Sequence, residues 1–301
     1  MSRKLLTGLI ILGLVISLGI GGIYAYNEMG KNPQGKGLNL TDEQKEQKEE
    51  IKGIMEDLRD KVKPVLDEIK TVGDEERAVL DAETLDEAGL ENLIDKNISY
   101  INEILDLRGD AFVEIEKVLT PEQREKYLTS FDFLTGRYMR KKEKNPAEER
   151  LINRIKDWLF LAKKLNLTDE QKEILNELIR EEKAKFAKFG MKKKIESLIK
   201  KLELTDEQKD SFIGIIKTEA ENEKETLKEL KENAKNEKEI VSKDPLDETA
   251  LRNSISTVKA KLNEVLSLRK DMYLNIVHLL TPEQRKNLPT SIFFLSPGVV
   301  R

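Results

Sequence analysis

The string LTPEQR is written twice in this chain, at Leu119–Arg124 and at Leu280–Arg285, and a related string, LTDEQK, begins at Leu40, Leu167 and Leu204. In each string a Thr is followed three residues later by a Gln, the pattern of a capping box at a helix N-terminus. The Thr side chain accepts from the backbone N–H of the third helical residue, and the Gln side chain accepts from the N–H of the cap. The sequence therefore predicts five helix starts, with these capping residues: Leu40, Thr41, Gln44; Leu119, Thr120, Gln123; Leu167, Thr168, Gln171; Leu204, Thr205, Gln208; Leu280, Thr281, Gln284.

The residues around each Thr also suit a helix start. Pro121 and Pro282 stand at the first helical position, where the missing N–H of proline costs no hydrogen bond. The LTDEQK strings place Asp and Glu in the first turn, where the helix dipole favours negative charge. The Leu before each Thr is expected to turn into the core at a corner between two helices.

The strings belong to a longer internal repeat. The sequence from Leu85, LDEAGLENLIDKNISYINEILDLRGDAFVEIEKVLTPEQ, matches the sequence from Leu246, LDETALRNSISTVKAKLNEVLSLRKDMYLNIVHLLTPEQ, at a constant offset and without a gap. The separation between the two capping strings is three residues shorter in the second copy, from Leu204 to Leu280, than in the first, from Leu40 to Leu119. A constant offset of this kind predicts two copies of one module.

This repeat divides the chain into five predicted segments. The stretch around Leu167 resembles the start of the second module but has no LTPEQ of its own, which favours a helical connector. The segments are an N-terminal membrane anchor or signal segment at residues 1–26, a flexible tether at 27–37, the first module at 38–136, the connector at 137–202 and the second module at 203–301.

Composition and apolar spacing predict an all-α fold of long helices. The chain is 38% hydrophobic and 37% charged, with only 8 prolines, a balance typical of well-solvated helices. Apolar residues at Ile51, Met55, Leu58 and Val62 follow steps of four, three and four, the narrow seam of a helix that packs on another helix. Pro64 lies within this seam and predicts a kink or a break.

The sequence predicts an export signal at the N-terminus. After Arg3 and Lys4, the uncharged run from Leu5 to Tyr26 spans roughly 33 Å as a helix, enough to cross a hydrocarbon core of about 30 Å. We expect residues 5–26 to contact the membrane as an uncleaved anchor. The alternative is a cleaved signal peptide with a cleavage site after Ala25. In both cases the positive charges stay inside and the rest of the chain is exported.

The residues do not suit catalysis or metal binding. There is no cysteine and a single histidine, His278, whose counterpart in the first module is Lys117, so we expect an exposed side chain rather than a ligand. No calcium-binding loop, phosphate loop or nucleophile elbow is present. A net charge of −4 does not indicate a nucleic-acid partner. We expect no enzyme, no cofactor and no metal site.

A basic segment in the connector is one candidate contact for another protein. Lys183–Lys194, KAKFAKFGMKKK, interleaves Phe186, Phe189 and Met191 with lysines and contains no acid. Such a segment can attract acidic, partly unfolded chains, while Phe and Met give adaptable apolar contacts. The alternative is that the two Phe pack against a module and the lysines are simply solvated.

Two further features leave alternatives open. Arg108 and Arg269 occupy equivalent positions beside the seam, where they either face a bound protein or pair with a carboxylate of the first helix in their module. The apolar tails after the second capping strings, Tyr127–Leu134 and Leu288–Leu295, either pack in the core or form an interface.

An LTxxQ at the start of a first helix, as at Leu40 and Leu204, followed by LTPEQ, as at Leu119 and Leu280, resembles the Spy/CpxP family of bacterial periplasmic proteins. The resemblance covers both modules. It implies a thin, curved cradle of four helices, usually formed as a dimer, with ATP-independent chaperone activity towards partly unfolded envelope proteins. It also implies relatives that restrain a stress sensor kinase or sense heavy metals.

We therefore expect a periplasm-facing tandem chaperone, anchored in the inner membrane or secreted to the periplasm if cleaved after Ala25. It would hold partly unfolded envelope proteins during envelope stress. The alternative is an envelope-stress or heavy-metal sensor or adaptor that docks on a sensor kinase or another membrane signalling protein; a structural spacer is a third possibility. The tandem either forms within one chain the cradle that relatives form as dimers, or itself forms a homodimer.

Overall fold

The structure, a computed structural model, describes residues 42–135 and 195–295, and the regular structure of these residues is entirely helical. The prediction of an all-α fold is confirmed for them. The membrane anchor, the tether, the string at Leu167 and the basic segment with Phe186, Phe189 and Met191 lie outside these residues. Among the helices described, none is long and apolar enough to cross a membrane.

Each module consists of two long helices followed by two short ones. Residues 195–202, which precede the second module, are also helical. The helices of the first module are α1 (Asp42–Asp81), α2 (Glu87–Val118), α3 (Pro121–Lys126) and α4 (Ser130–Leu134); those of the second are α5 (Asp206–Val241), α6 (Glu248–Leu279), α7 (Pro282–Arg285) and α8 (Ser291–Leu295).

The two long helices of each module form a hairpin. A short connection between α1 and α2, and another between α5 and α6, makes each pair antiparallel neighbours that pack along their length. The seam from Ile51 to Val72 is buried on α1, as its spacing predicts. The predicted break at Pro64 is wrong, because α1 continues through this residue. Pro64 is exposed, so water can hydrate the carbonyl that loses its helical hydrogen bond.

The three-residue difference between the modules lies at the start of the first long helix. In the register that equates Leu85 with Leu246, Asp206 corresponds to Lys45, yet α1 begins at Asp42. The first helix has 40 residues and its counterpart 36. The capping string of the first module therefore lies nearly one helical turn further from the repeated part of its helix than the capping string of the second module does.

The described parts of the two modules, residues 42–135 and 205–295, fold into one compact unit. Helix α2 packs against α6, while the short helices α4 and α8 each contact long helices of both modules. One hydrophobic cluster includes Phe112 and Phe133 from the first module together with Leu251 and Leu262 from the second. The modules therefore share a core.

Candidate functional site at the contact between the two modules

Three of the five predicted capping strings lie within the described residues, and each forms a complete capping box. Leu119, Leu204 and Leu280, which precede the capping Thr, are buried. The string at Leu40 has its Thr41 and the side chain of Gln44 outside the described residues. The backbone N–H of the cap lies 2.8 Å from Gln Oε1 for Thr120 and Gln123, and 3.0 Å for both Thr205 with Gln208 and Thr281 with Gln284.

The capping glutamines of the second module also bond to each other. Gln208 Nε2 donates to Gln284 Oε1 at 2.9 Å, and Gln284 Nε2 donates back to Gln208 Oε1 at 2.9 Å. Gln208 Nε2 further donates to the carbonyl of Leu279, at the end of α6. In the second module, the two capping strings thus join the start of α5 to the turn that follows α6.

In the first module Gln47 makes this connection. Its Nε2 donates to the carbonyl of Val118 at 3.0 Å, and its Oε1 accepts from Gln123 Nε2 at 3.3 Å. In the register of the repeat Gln47 is the equivalent of Gln208, whereas the aligned capping strings equate Gln208 with Gln44. Sequence reasoning from the string alone missed Gln47; the register of the repeat is the signal that identifies it.

A buried carboxyl group of α1 holds the start of α8, in the other module. Glu76 is fully buried and accepts from the backbone N–H and the hydroxyl of Ser291, the first residue of α8. The hydroxyl of Tyr273 donates to the same carboxyl group at 2.7 Å. Burial raises the pKa of Glu76, and the hydrogen bonds from Tyr273 and Ser291 oppose that rise.

The reciprocal contact holds α4. Glu237 of α5 accepts from the backbone N–H and the hydroxyl of Ser130, the first residue of α4, and from the hydroxyl of Ser254 at 3.0 Å. Burial raises the pKa of Glu237, against the effect of these donors. Glu237 and Glu76 occupy equivalent positions of the repeat, and so do Ser130 and Ser291. Each module therefore provides the carboxyl group that holds the tail helix of the other.

The last letter of LTPEQR contacts the other module as well. Arg124 Nη2 donates to the carbonyl of Lys243 at 2.9 Å, and Arg285 Nη2 donates to the carbonyls of Ala82 and Glu83 at 3.3 and 3.2 Å. These carbonyls lie in the connections between the long helices of the opposite module. Sequence reasoning gave Arg124 and Arg285 no role.

Arg108 and Arg269 are buried inside the two-module unit. Arg269 donates to both oxygens of Glu223 on α5, from Nε at 2.5 Å and from Nη2 at 3.0 Å. Arg269 therefore pairs with a carboxylate of the first helix of its module, one of the two alternatives that the sequence left open. Each arginine also donates to the last carbonyl of its tail helix: Arg108 to Leu134 at 2.6 Å, and Arg269 to Leu295 at 3.4 Å. A contact between either guanidinium and another protein would require these bonds to break.

The buried face of α5 is more polar than that of α1. Glu219, Glu223 and Thr226 are buried on α5 at the positions of Leu58, Val62 and Val65 on α1. Burial, with a further contribution from the neighbouring carboxylate of Glu223, raises the pKa of Glu219 to about 7.

The two apolar tails are part of the core of this unit. Phe133 is fully buried and its ring centroid lies 5.3 Å from that of Phe112. The equivalent Phe294 packs on Tyr273 at 5.1 Å. Since α4 and α8 contact both modules, each tail fills the core and the contact between modules at the same time.

His278 is about half exposed, and its Nε2 lies 3.6 Å from Glu87 Oε1. The repeat equivalents of these two residues, Lys117 and Glu248, also form a pair between the modules, at 2.9 Å. Within residues 42–135 and 195–295, no three His, Cys, Asp or Glu side chains are grouped to hold a metal ion.

Comparison with protein families gives two matches to one family, described as LTXXQ motif family protein, over residues 28–130 and 190–291. These matches cover more than half of the chain, which therefore belongs to the LTXXQ motif family, and the resemblance to Spy/CpxP-like proteins is confirmed. This is a family of envelope-stress-related proteins and not a family of enzymes. No curated protein and no solved structure matches the chain.

Proposed function

We propose that this protein is an ATP-independent chaperone that holds partly unfolded envelope proteins in the periplasm. The observation that carries the proposal is the family match, which covers both modules and the capping strings that start and end them. Residues 5–26 would anchor the protein in the inner membrane, or the chain would be secreted to the periplasm if cleaved after Ala25.

The surface of the described unit suits weak binding of many sequences. Ile213, Ile215 and Ile216 are half-buried near the start of α5 and stand among exposed charged residues. Small apolar areas of this kind contribute about 25 cal/mol per Å² of surface removed from water, so each contact is weak. The surrounding charges keep a loaded complex soluble. The basic segment with Phe186, Phe189 and Met191 would add a second contact for acidic clients.

The test uses residues 27–301, without ATP, mixed with a chemically unfolded unrelated protein whose aggregation is followed by light scattering. Suppression near an equimolar ratio, weakened by added salt, is the expected result. No suppression at a tenfold excess would overturn general holding activity and favour an adaptor with one specific envelope partner.

Matched variants test the contact proposed for the basic segment. Serine in place of Phe186, Phe189 and Met191 together is expected to weaken the suppression. Serine at the exposed Lys231 and Lys235 of α5 removes positive charge elsewhere and is expected to leave it unchanged. Unchanged suppression in the first variant together with a loss in the second would show that charge, and not these apolar side chains, binds the client.

A further inference from the structure

One carboxyl group at the contact between modules has no counterpart across the repeat. Glu116 on α2 is fully buried, and in the described part of the chain neither of its side-chain oxygens has a hydrogen-bond partner. The equivalent position of the second module holds Val277, which is also fully buried. The end of the contact that holds α4 therefore has one more buried carboxyl group than the end that holds α8.

The charged groups that act on Glu116 come from α5 and α3. Burial is the largest cause that raises the pKa of Glu116, to about 8. The carboxyl group of Glu237 on α5, which holds α4, raises it further, and the guanidinium of Arg124 on α3 lowers it. Next to burial, the charge of Asp132 on α4 also raises the pKa of Glu237. At neutral pH Glu116 is therefore mostly protonated in the folded unit.

The opposite end is bonded differently. Glu76 accepts from Tyr273 and is within 3.4 Å of the side-chain amide of Asn97, and the charge that acts on it is that of Arg77, which favours ionisation. With Val277 in the place of Glu116, ionisation of Glu76 brings no second carboxylate into the same buried volume.

We propose that Glu116 is a proton-controlled latch: protonated, it lets Glu237 hold α4 in place, and ionised, it repels Glu237 and releases α4 while α8 stays bound. When the proton leaves for solvent, two carboxylates share a buried site in which Arg124 is the cation that acts on Glu116. Since a buried charge without hydrogen-bond donors is costly, the site relaxes by letting water in. The movable part is the short helix α4, held at its start by Glu237.

Release of α4 would expose apolar surface. Phe131, Phe133 and Leu134 are buried in the closed unit, with Phe112 behind them. An exported protein meets the pH of its surroundings directly, so a proton would control how much apolar surface the unit offers. The consequence for client holding rests on the proposed function; the latch itself does not.

The test measures amide hydrogen exchange of the full chain in detergent at pH 6 and pH 9, corrected for the intrinsic chemical rate. Peptides covering residues 127–135 and 288–295 report on α4 and α8 in the same molecule. Since the pKa of Glu116 is raised from 4.5 to about 8 in the closed unit, protection of α4 is expected to fall by up to about a hundredfold between pH 6 and pH 9, and by more than that of α8. Unchanged protection of α4, or an equal loss in both tails, would overturn the proposal.

Three variants identify the responsible group. Glu116→Gln and Glu116→Val, the latter copying Val277, are expected to keep α4 protected at pH 9. Asp132→Asn is the matched control and is expected to keep the response, since Asp132 is not the group that loses the proton. Persistence of the pH response in both Glu116 variants would show that another group is responsible. Because no client enters this experiment, its outcome is independent of the aggregation assay.

Discussion

At the scale of single residues, Glu76 and Glu237 show how a side chain can stabilise a helix that lies far away in the sequence. Each accepts from the first N–H of a short helix, where the helix dipole favours a negative charge. Helices as short as α4 and α8 are unstable alone. Their position therefore depends on bonds from the other module.

Glu76→Gln is expected to lower the free energy of unfolding by about 1–3 kcal/mol. The amide keeps the shape of the side chain, but it removes the charge and one of the two acceptor atoms that Ser291 and Tyr273 use. Urea denaturation measures the change. The control is Glu75→Gln, at the exposed neighbouring residue, expected to change stability by less than about 0.5 kcal/mol. Equal effects of the two variants would contradict the role given to Glu76.

Glu223→Val tests the buried pair with Arg269. The valine copies Val62 of the first module but leaves the guanidinium of Arg269 without its two carboxylate bonds. Loss of one partner of a buried ion pair costs about 3–5 kcal/mol. Arg252→Ala, which removes an exposed pair with Asp110 at 3.0 Å, is the control and is expected to cost less than about 1 kcal/mol. Thermal unfolding would show the difference, and similar melting temperatures would count against a structural role for Arg269.

At the scale of helices, α1 and α5 occupy equivalent places but bury different side chains. The seam of α1 is apolar from Ile51 to Val72, whereas α5 buries Glu219, Glu223 and Thr226. The same hairpin geometry therefore tolerates both interiors. The polar interior makes the stability of the second module dependent on pH.

Glu219→Leu, which copies Leu58, is expected to stabilise the protein at pH 8 by about 1–3 kcal/mol. The pKa of Glu219 in the folded unit is raised from 4.5 to about 7, chiefly by burial. Because this pKa is higher in the folded unit than in the unfolded chain, the contribution of Glu219 to the free energy of unfolding is fully present below about pH 4.5. It is lost as the pH rises through about 7. The gain from Leu should therefore shrink at pH 5. Urea titrations at both pH values measure it, and a gain that is equal at both would show that Glu219 does not titrate in this range.

The sequence predicted the helices well because the signals for helices are local. The Thr–Gln spacing identified the starts of α3, α5 and α7, and the steps of three and four residues identified the buried face of α1. The same steps continue through Val72 to Glu76, so a Glu in the seam of both modules was a visible signal. Its partner was not, because periodicity shows which face is buried and not what lies opposite; Ser291 is 215 residues away.

At the scale of the whole molecule, several contacts between the modules come in pairs related by the repeat. Lys117 with Glu248 corresponds to His278 with Glu87, and the contacts of Glu76 and Glu237 with the two tails are reciprocal. An interface in which each side uses the same surface is the kind found in twofold dimers. In this chain both halves of that interface belong to one polypeptide.

This arrangement predicts that residues 27–301 are monomeric. A surface that pairs two identical modules in a dimer is here already occupied by the second module of the same chain, so a further copy has no equivalent surface to bind. Light scattering coupled to size-exclusion chromatography is expected to give the mass of one chain across micromolar concentrations. A persistent dimer would mean either that modules pair between chains or that another surface associates. Glu76→Arg with Glu237→Arg separates these cases, because the double substitution disrupts a dimer built on the exchanged tails and leaves a dimer built elsewhere intact.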